Sequence, residues 1–559
     1  MRKRWLARPA PGAGEAEPQL DRMLPDPIAR LLARRGISPA SGFLHPDPAM
    51  LSPWRDLPGL EPIVDRLLAC AGSRCRILVW GDYDADGLTS AAIMHAALVS
   101  LGAEVRTQIP ERLTEGYGLG SSVIELCRLV EPQVLLAVDC GSTAVEEIAA
   151  LHEMGVEVLV LDHHEPGGRI PRDCLIANPW VASTGESWKT LSAAGVCHAA
   201  FRGLAELSGS LDHLAGHSLG LAAVGTICDI VPLRLDSRTL ASCGLAELSR
   251  GAVPGISALC ESSGIVGSRL GSEDISYRIG PRLNACGRVG SVSEALDLLT
   301  ASSREGLEER CARIEEMNRT RKVLDRRVSE EASSMARSLG ARRGLLLARK
   351  GWHRGVLGIA ASRLSSELGI PVALAAVEED GVARGSARSV PGVPLHEVLG
   401  AMSDVLLSGG GHSQAAGLSF RASDLEVVAG RFEDEVAVYA PVPAGHVLYL
   451  DGRLGEEDLT PGLARSLLDL EPFGEGNEEP VWITSGAALD GFRRMGGGRH
   501  MSCTATIGAS SVRAVGFGMG GLVDDHAPGR YDLAFSLRLD TWRGPDSIAL
   551  HLRDLRPSR

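Results

Sequence analysis

The sequence lacks the features of membrane and secreted proteins. It contains no uninterrupted apolar run of about eighteen residues, the length that a membrane-spanning helix needs. Met1–Arg4 is basic, but Pro9 and Pro11 follow where a signal peptide has its apolar core. None of the 12 cysteines forms a C-x-x-C pair, which argues against a disulfide framework and against structural zinc. We therefore expect a cytoplasmic protein with reduced thiols.

The chain also has no excess of positive charge and few aromatic side chains. The formal net charge is −13 and aromatic residues make up 4% of the chain, whereas nucleic-acid-binding proteins usually carry a basic footprint. The negative net charge does not exclude nucleic-acid binding, because carboxylates that hold cations are neutralised when the cations bind. Charge is also uneven, since 304–350 contains 13 Lys/Arg against 8 Asp/Glu. That stretch is either a solvated, salt-bridged helix or a basic surface that faces the phosphates of a nucleic acid.

The apolar pattern predicts an α/β protein of several domains, because 559 residues are too many for one core. Short apolar runs at 76–80, 134–138 and 156–161 alternate with helical stretches. Such runs are typical of a parallel sheet that is covered on both faces. A long helical stretch at 301–338 then leads to a second α/β segment that begins at residue 344.

The C-terminal part has a different pattern. Pro441–Pro443 predicts a linker. Beyond it, apolar and polar residues alternate at 446–450, 501–507, 512–517 and 531–539, which predicts a small β-barrel. Its main aromatic residues are Trp482, Phe492, Phe517 and Trp542. We interpret most of these four as ordinary barrel core.

The strongest local motif contains three carboxylates at alternate positions. Asp82, Asp84 and Asp86 directly follow the predicted strand 76–80, and such an arrangement attracts a hard cation through oxygen. An EF-hand loop has the same beginning, but it needs a glutamate where this chain has Ile93, and it needs a preceding helix. The EF-hand is therefore disfavoured, and a solvated acidic turn remains the simpler alternative.

Further candidate ligands follow the other predicted strands. Asp139 directly follows the predicted strand 134–138, although a lone aspartate at such a position is often only the cap of the next helix. Asp162–His164 ends the strand 156–161, and two adjacent imidazoles at a buried strand end fit a purely structural role poorly. Asp229 lies inside an apolar stretch, where a buried carboxylate needs a partner that a metal ion would supply.

These residue types favour a hard divalent cation. Several carboxylates with one or two imidazoles and no thiolate suit Mn²⁺ or Mg²⁺ better than structural zinc. The acids are more numerous than one ion needs. Two ions about 3.5–4 Å apart are the arrangement used for in-line attack on phosphorus. The residues alone therefore predict a two-metal phosphoesterase.

The order of these motifs resembles the DHH phosphoesterase superfamily: strand–Asp-x-Asp, strand–Asp, Asp-His-His, and a further Asp. Gly409–Gly417 resembles the partner DHHA1 domain of that superfamily. Within it, the sequence is most similar to the RecJ family of single-strand-specific 5′→3′ exonucleases. The stretches that carry this similarity are Leu31–Ile37, Glu115–Leu119, Gly280–Arg288, Gly351–Ile359 and Pro472–Asn477.

The resemblance implies a role for each candidate residue. The implied metal ligands are Asp84, Asp86, Asp139, His163 and Asp229. The implied catalytic residues are Asp82, as a ligand or a carboxylate behind the ligands, and His164, as a donor or acid at the scissile phosphate. The implied substrate-binding residues are Arg282, Arg288, Arg388, Gly409, Gly410, Gly411 and His412. Without the resemblance, the glycines would be interpreted as a flexible turn and the arginines as surface residues.

The resemblance also implies an activity, partners and a domain order. The activity is metal-dependent 5′→3′ hydrolysis of single-stranded DNA to mononucleotides in DNA repair and recombination, with two divalent cations, Mn²⁺ or Mg²⁺. The implied partners are single-stranded DNA, a single-strand-binding protein and a helicase, with no membrane. The expected domains are an N-terminal extension (1–70), a DHH domain (71–300), a linker helix (301–340), a DHHA1 domain (341–440) and an OB-fold nucleic-acid-binding domain (445–559).

Two other functions are compatible with parts of this pattern. Another DHH hydrolase, such as an oligoribonuclease/pAp phosphatase, a cyclic-dinucleotide phosphodiesterase or a pyrophosphatase, would share the metal motifs. Such enzymes are typically built without the N-terminal extension and the barrel, or carry membrane or sensor segments. A non-catalytic DNA-binding scaffold with a degenerate site is the other alternative. Scaffolds of that kind lose ligands, and this sequence retains all of them.

Overall fold

The computed structural model describes residues 3–9, 24–37, 40–112, 116, 118–182, 184–265, 267, 269–439, 447–540 and 543–558. The predicted linker Pro441–Pro443, together with Glu115, Tyr117, His446 and Trp542, lies outside the described residues. The chain divides into two compact units, which are Ser52–Val231 with Leu235–Ala444, and Met1–Leu51 with Pro232–Arg234 and Gly445–Arg559. None of the described helices combines the length and apolar character that crossing a membrane requires.

The larger unit begins with a parallel sheet and its helices. The first three elements of the chain, β1 (Arg4–Ala7), α1 (Asp26–Arg34) and α2 (Ala40–Leu44), belong to the smaller unit. From there to residue 300 the elements are α3 (Leu60–Ser73), β2 (Arg76–Trp80), α4 (Ala85–Ser100), β3 (Glu104–Gln108), α5 (Ser121–Val130), β4 (Val134–Val138), α6 (Val145–Glu153), β5 (Glu157–Leu161), β6 (Leu175–Ala177), α7 (Glu186–Lys189), α8 (Ala193–Ser208), α9 (Ala215–Cys228), α10 (Leu235–Ser249), α11 (Pro254–Ser262), α12 (Ser272–Asp274), α13 (Gly280–Val289) and α14 (Ser293–Leu299).

The strand order of this sheet is β3-β2-β4-β5-β6, and each pairing is parallel. The predicted runs at 76–80, 134–138 and 156–161 become its central strands, which confirms the predicted parallel sheet. β2, β4 and β5 are buried along nearly their whole length, so their sequences are continuously apolar. The sequence did not indicate β3, because Glu104–Gln108 is polar and only half-buried at the sheet edge.

A long helix leads to a mixed sheet in the same unit. The elements are α15 (Leu307–Leu339), β7 (Leu345–Lys350), α16 (Arg354–Leu368), β8 (Val372–Val377), β9 (Val382–Arg388), α17 (Leu395–Gly400), β10 (Ser408–Gly411), β11 (Ala415–Arg421) and α18 (Leu425–Ala437). The strand order is β10-β11-β9-β8-β7, with only the β7–β8 pair parallel. Arg310 and Arg313 on α15 form ion pairs with Glu294, which favours the salt-bridged interpretation of this charged stretch.

The smaller unit contains a closed five-stranded barrel. Its remaining elements are β12 (Val447–Leu450), β13 (Gly452–Arg453), α19 (Pro461–Leu468), β14 (Trp482–Met495), β15 (His500–Ile507), β16 (Ser510–Gly516), β17 (Gly529–Leu539) and β18 (Ile548–Pro557). The barrel order is β14-β15-β16-β18-β17, and β17 pairs back with β14. The closed barrel confirms the predicted fold of this segment.

One detail of the barrel prediction was wrong. Within the predicted run 446–450, Val447–Leu450 is not a barrel strand, because β12 pairs with β1 in a separate two-stranded parallel sheet. The short strand β13, not β12, pairs with the start of β14, whose remaining pairings are to β15 and β17. Trp482 is buried and Phe492 packs against the core, as predicted. Phe517 differs from these two, because 58% of its surface is exposed, and a core role was predicted only for most of the four aromatic residues.

Candidate active site

Three strand ends of the parallel sheet bring acidic and imidazole side chains to one edge. Asp82 lies just beyond β2, Asp139 directly follows β4, and Asp162 directly follows β5. Parallel strands end at the same edge of a sheet, which is where α/β proteins bind ligands. Asp139 has φ +61°, a left-handed conformation that aspartate tolerates. Asp229 reaches the same edge from the C-terminal end of α9.

The imidazole of His163 lies at the centre of the carboxylates. Its Nε2 atom is 3.4 Å from Oδ1 of Asp139, 3.7 Å from Oδ2 of Asp229 and 3.8 Å from Oδ2 of Asp86. The donor atoms of Asp86, His163 and Asp229 lie within 4.8 Å of one another, and so do those of Asp82, Asp84 and Asp139. The five predicted ligands and Asp82 therefore form two adjoining groups of three.

Backbone groups fix the position of Asp86. Its Oδ2 accepts a hydrogen bond from N–H of Ala193 at 2.8 Å, and its Oδ1 accepts one from Ala194 at 3.0 Å. These two residues form the first turn of α8, whose N–H groups favour a negative charge. Gly225 of α9 packs behind the carboxylate, because a Cβ atom there would lie 2.3 Å from Oδ1 of Asp86. Glycine at position 225 thus keeps room for the carboxylate.

We expect Gly225→Ala to lower Mn²⁺ affinity and to reduce hydrolysis by about 100-fold, because the new methyl group displaces Asp86. The measurements are Mn²⁺ titration by calorimetry and steady-state rates. Gly430→Ala is the matched control, since a Cβ there meets nothing within 4 Å and its activity should equal that of the wild type. Full Mn²⁺ affinity and activity in Gly225→Ala would show that Asp86 needs no such space.

The first acidic motif is a tight turn. Oδ1 of Asp84 accepts hydrogen bonds from N–H of Asp86 at 2.9 Å and of Gly87 at 3.2 Å, so Asp84 caps α4. A Cβ atom on Gly87 would lie 2.5 Å from the backbone of Asp82, so only glycine allows this close approach. Oδ1 of Asp82 is buried and has no hydrogen-bond partner among the described residues. The Nε2 atom of His163 is in the same situation.

The crowded carboxylates are ready to accept cations. Burial raises the pKa of Asp82 and Asp139 well above the usual range, and neighbouring carboxylates raise it further. Burial and the charge of Asp84 raise the pKa of Asp86 to about 7, and burial and the charge of Asp86 raise that of Asp229 to about 8. A bound cation relieves this repulsion, so the oxygen-rich donor set fits Mn²⁺ or Mg²⁺.

The two adjacent histidines differ in charge at neutral pH. Burial, and then the positive charge of His164, lower the pKa of His163 to about 4, so His163 is a neutral imidazole that can serve as a ligand. Burial alone would lower the pKa of His164 too. A hydrogen bond of 2.8 Å from Nδ1 of His164 to Asp162, with the charge of that carboxylate, instead raises it to about 9. His164 is therefore positively charged at neutral pH.

Asn178 is a site residue that sequence reasoning missed. It is 1% exposed, and its Nδ2 donates to the carbonyl oxygen of His164 at 2.9 Å and to Oγ of Ser142 at 2.8 Å. N–H of Ser142 in turn donates to Asp162 at 3.2 Å. Asn178 thus ties the loops after β4 and β5 together. The position directly after an apolar strand is the only sequence signal for it.

We expect Asn178→Ala to reduce the rate of hydrolysis by about 10- to 100-fold, because the carbonyl of His164 loses its donor. Mn²⁺ affinity should change little, since the hydrogen bonds of the Asn178 side chain go to Ser142, His164 and Trp180, none of which is a predicted metal ligand. Comparing kcat with the Mn²⁺ dissociation constant checks this. A parallel loss of metal affinity and rate would mean that Asn178 supports the carboxylates instead of His164.

Two of the three predicted arginines line one cavity. Arg288 and Arg388 border a space of about 420 Å³ together with Gly358 and Arg363. Burial, and then the charge of Arg112, lower the pKa of Arg288 to about 10, so positive charge is concentrated here. Arg282 instead forms an ion pair with Glu315 and donates to the carbonyl of Arg278 at 2.6 Å.

The glycine-rich strand β10 borders two further cavities. Gly409 and Gly410 line a space of about 490 Å³ together with Arg112, Arg354 and Arg384. Gly411 and His412 line a space of about 450 Å³ together with Asp162 and His164. The predicted Gly409–His412 run therefore borders both cavities. The positively charged His164 lines the cavity that Gly411 and His412 border.

Arg112 is a second residue that sequence reasoning missed. Its guanidinium lies 4.8 Å from the ring centroid of Tyr83, within the first acidic motif, which is cation–π geometry. It also lines the cavity of β10. No sequence pattern indicated it, because the strand β3 that leads to it was not predicted. The charges of Arg288 and Arg388 both interact with Arg112 and Tyr83, so Arg112 adds a third arginine near the first acidic motif.

Three family models match most of the chain. The N-terminal domain of the DHH family matches residues 76–226, the DHHA1 domain matches 342–437 and the RecJ OB domain matches 450–554.

Individual proteins also match over nearly the whole chain. The single-stranded-DNA-specific exonuclease RecJ of Bacillus subtilis is 32% identical over 94% of this chain and 67% of its own length. The protein of the same name from Escherichia coli is 30% identical over 96% of each chain. The crystal structure of RecJ in complex with Mn²⁺ from Thermus thermophilus has 31% identity and a TM-score of 0.85, covering 100% of this chain and 80% of that one. This chain therefore belongs to the RecJ family.

Proposed function

We propose that this protein is a metal-dependent exonuclease that hydrolyses single-stranded DNA from the 5′ end to mononucleotides. The observation that carries the proposal is the pair of adjoining donor groups around His163 at the edge of the parallel sheet. Such a set of carboxylates with one neutral imidazole suits phosphodiester hydrolysis with two cations. The names of the relatives support single-stranded DNA as the substrate.

We assign the metal ligands to Asp84, Asp86, Asp139, His163 and Asp229. Asp82 joins them as a ligand, because its Oδ1 is buried without a hydrogen-bond partner among the described residues and its donor atom lies within 4.8 Å of those of Asp84 and Asp139. When bound there, two divalent cations, Mn²⁺ or Mg²⁺, would lower the pKa of the attacking water and neutralise charge on the phosphate.

His164 acts on the scissile phosphate as a hydrogen-bond donor and acid. Asp162 holds Nδ1 of this ring at 2.8 Å, which leaves Nε2 for the substrate. The raised pKa keeps a proton on both ring nitrogens at neutral pH. The proton on Nε2 can pass to the leaving 3′-oxygen, or it can stabilise negative charge on a phosphate oxygen by a hydrogen bond.

The arginine-lined cavities bind the phosphates of the strand. Arg288 and Arg388 border one cavity, and Arg112 borders the cavity that Gly409 and Gly410 line. Arginines fit phosphate oxygens because their N–H groups form a planar fork. The Gly409–Gly411 backbone and His412 contact the substrate beside them. Arg282 contributes indirectly, through its ion pair with Glu315.

We further propose the cellular setting and the domain assignment. The free cysteines of the chain are typical of a reducing compartment, which supports the cytoplasm. During DNA repair and recombination, a helicase would unwind duplex DNA to give the single-stranded substrate, and a single-strand-binding protein would bind that strand. The extension (1–70), DHH domain (71–300), linker helix (301–340), DHHA1 domain (341–440) and OB-fold (445–559) would each keep the role that the family resemblance implies.

Hydrolysis of end-labelled DNA tests the proposed function. With Mn²⁺, the protein should release mononucleotides from single-stranded DNA with a free 5′ end, little from blunt duplex, and none in the presence of a chelator. A 5′ label should appear in mononucleotide at once, whereas a 3′ label should remain in shortening strands. Activity on short RNA or pAp alone would indicate a different DHH hydrolase. DNA binding without hydrolysis would indicate a scaffold.

A further inference from the structure

Phe517 is an exposed aromatic ring of the barrel, in a chain that contains few aromatic residues. Phe517 has 58% of its surface exposed, whereas Trp482 and Phe535 of the same barrel are buried. Exposing a phenyl ring forgoes part of the stabilisation that its burial would give. An exposed aromatic ring at a defined place in a barrel is therefore a candidate contact surface.

Neighbouring rings fix the orientation of Phe517. The rings of His500 and His551 lie 5.3 Å and 5.4 Å from it, at interplanar angles of 68° and 65°. N–H of Gly518 donates to Nδ1 of His500 at 3.0 Å, which holds that imidazole in place. Edge-to-face contacts of this kind are favourable. Phe517 is thus supported on two sides and still open to solvent.

The position of this cluster within the barrel indicates its ligand. The strand order β14-β15-β16-β18-β17, closed by β14–β17, makes β15 and β16 the second and third strands of the barrel. His500 begins β15, and Phe517 directly follows β16. The face formed by the second and third strands is where barrels of this type bind oligonucleotides. Phe517 therefore lies where a base can reach it.

We propose that Phe517, supported by His500 and His551, is a stacking site for a base of single-stranded nucleic acid. This inference rests on the proposed function and names a contact that the barrel makes with the substrate. Each base has a flat π face, so a single ring binds any sequence. Arg499, exposed beside His500, offers a cation to the adjacent phosphate.

Replacing Phe517 tests the site in the full-length protein. Affinity for a 3′-labelled oligothymidine is measured by anisotropy in chelator, so that no hydrolysis occurs. We expect Phe517→Ala to weaken binding by about tenfold, and Phe517→Trp to retain it. Tyr449→Ala is the matched control, since Tyr449 is an exposed aromatic residue on β12, outside the barrel. Its affinity should equal that of the wild type.

Two further measurements identify stacking as the cause. The ratio of wild-type to Phe517→Ala affinity should stay constant as salt rises, because stacking releases no counterions. The ratio should fall to one on an oligonucleotide with abasic sites. Wild-type affinity in Phe517→Ala, or an equal loss on the abasic strand, would overturn the proposal. Mn²⁺-dependent hydrolysis by the wild type tests the proposed function separately, so the two failures are distinguishable.

Discussion

Asp139→Asn is expected to reduce hydrolysis of single-stranded DNA on the order of 1,000-fold, because cation binding and water activation together supply several kcal/mol. The substitution is nearly isosteric. Asparagine also tolerates the left-handed conformation, φ +61°, that Asp139 adopts. Oδ1 of Asp139 is 3.4 Å from Nε2 of His163, and a donor atom of Asp139 converges with those of Asp82 and Asp84.

The stability of the same variant should change in the opposite direction. Burial, and then the charges of Asp86 and other carboxylates, raise the pKa of Asp139, so its charge is unfavourable without a cation. We therefore expect metal-free Asp139→Asn to have a higher Tm than the metal-free wild type. Adding Mn²⁺ should stabilise the wild type and change the variant little. A variant that loses both activity and metal-free stability would indicate a structural role for Asp139.

The metal-free protein is expected to lose stability as pH rises from about 5 to about 8, by on the order of a few kcal/mol. In the folded protein the pKa of Asp86 is about 7 and that of Asp229 about 8. The unfolded chain has released these protons already, since the pKa of a free aspartate is about 3.9. The folded state binds more protons across this window, so the free energy of unfolding falls as they leave.

Thermal unfolding in chelator at several pH values checks this expectation. Mn²⁺ should reverse the trend, because the cation binds the deprotonated carboxylates and its affinity rises with pH. Asp86→Asn should flatten the metal-free pH dependence, because it removes the group whose pKa is about 7. A metal-free Tm that stays constant or rises between these pH values would contradict the raised pKa values.

The sequence by itself determined the parallel sheet and the residues at its edge. Buried central strands must be continuously apolar, so β2, β4 and β5 were visible as runs. Polar side chains directly after such runs must meet at one edge, which made Asp82, Asp139 and His163 candidates by their positions in the chain alone. The direction of hydrolysis and the DNA substrate came from the family resemblance, because no local pattern encodes them.

Only the tertiary structure decided which groups act through others. Asn178 and Arg112 acquire their roles from contacts with His164 and Tyr83, which are distant in sequence. The charge states of His163 and His164 depend on burial and on Asp162. Two consecutive histidines in the sequence give no indication of which one is charged. Alternation also could not tell core from surface in the barrel. The face that a ring occupies depends on closure and register, which pair residues far apart in the chain.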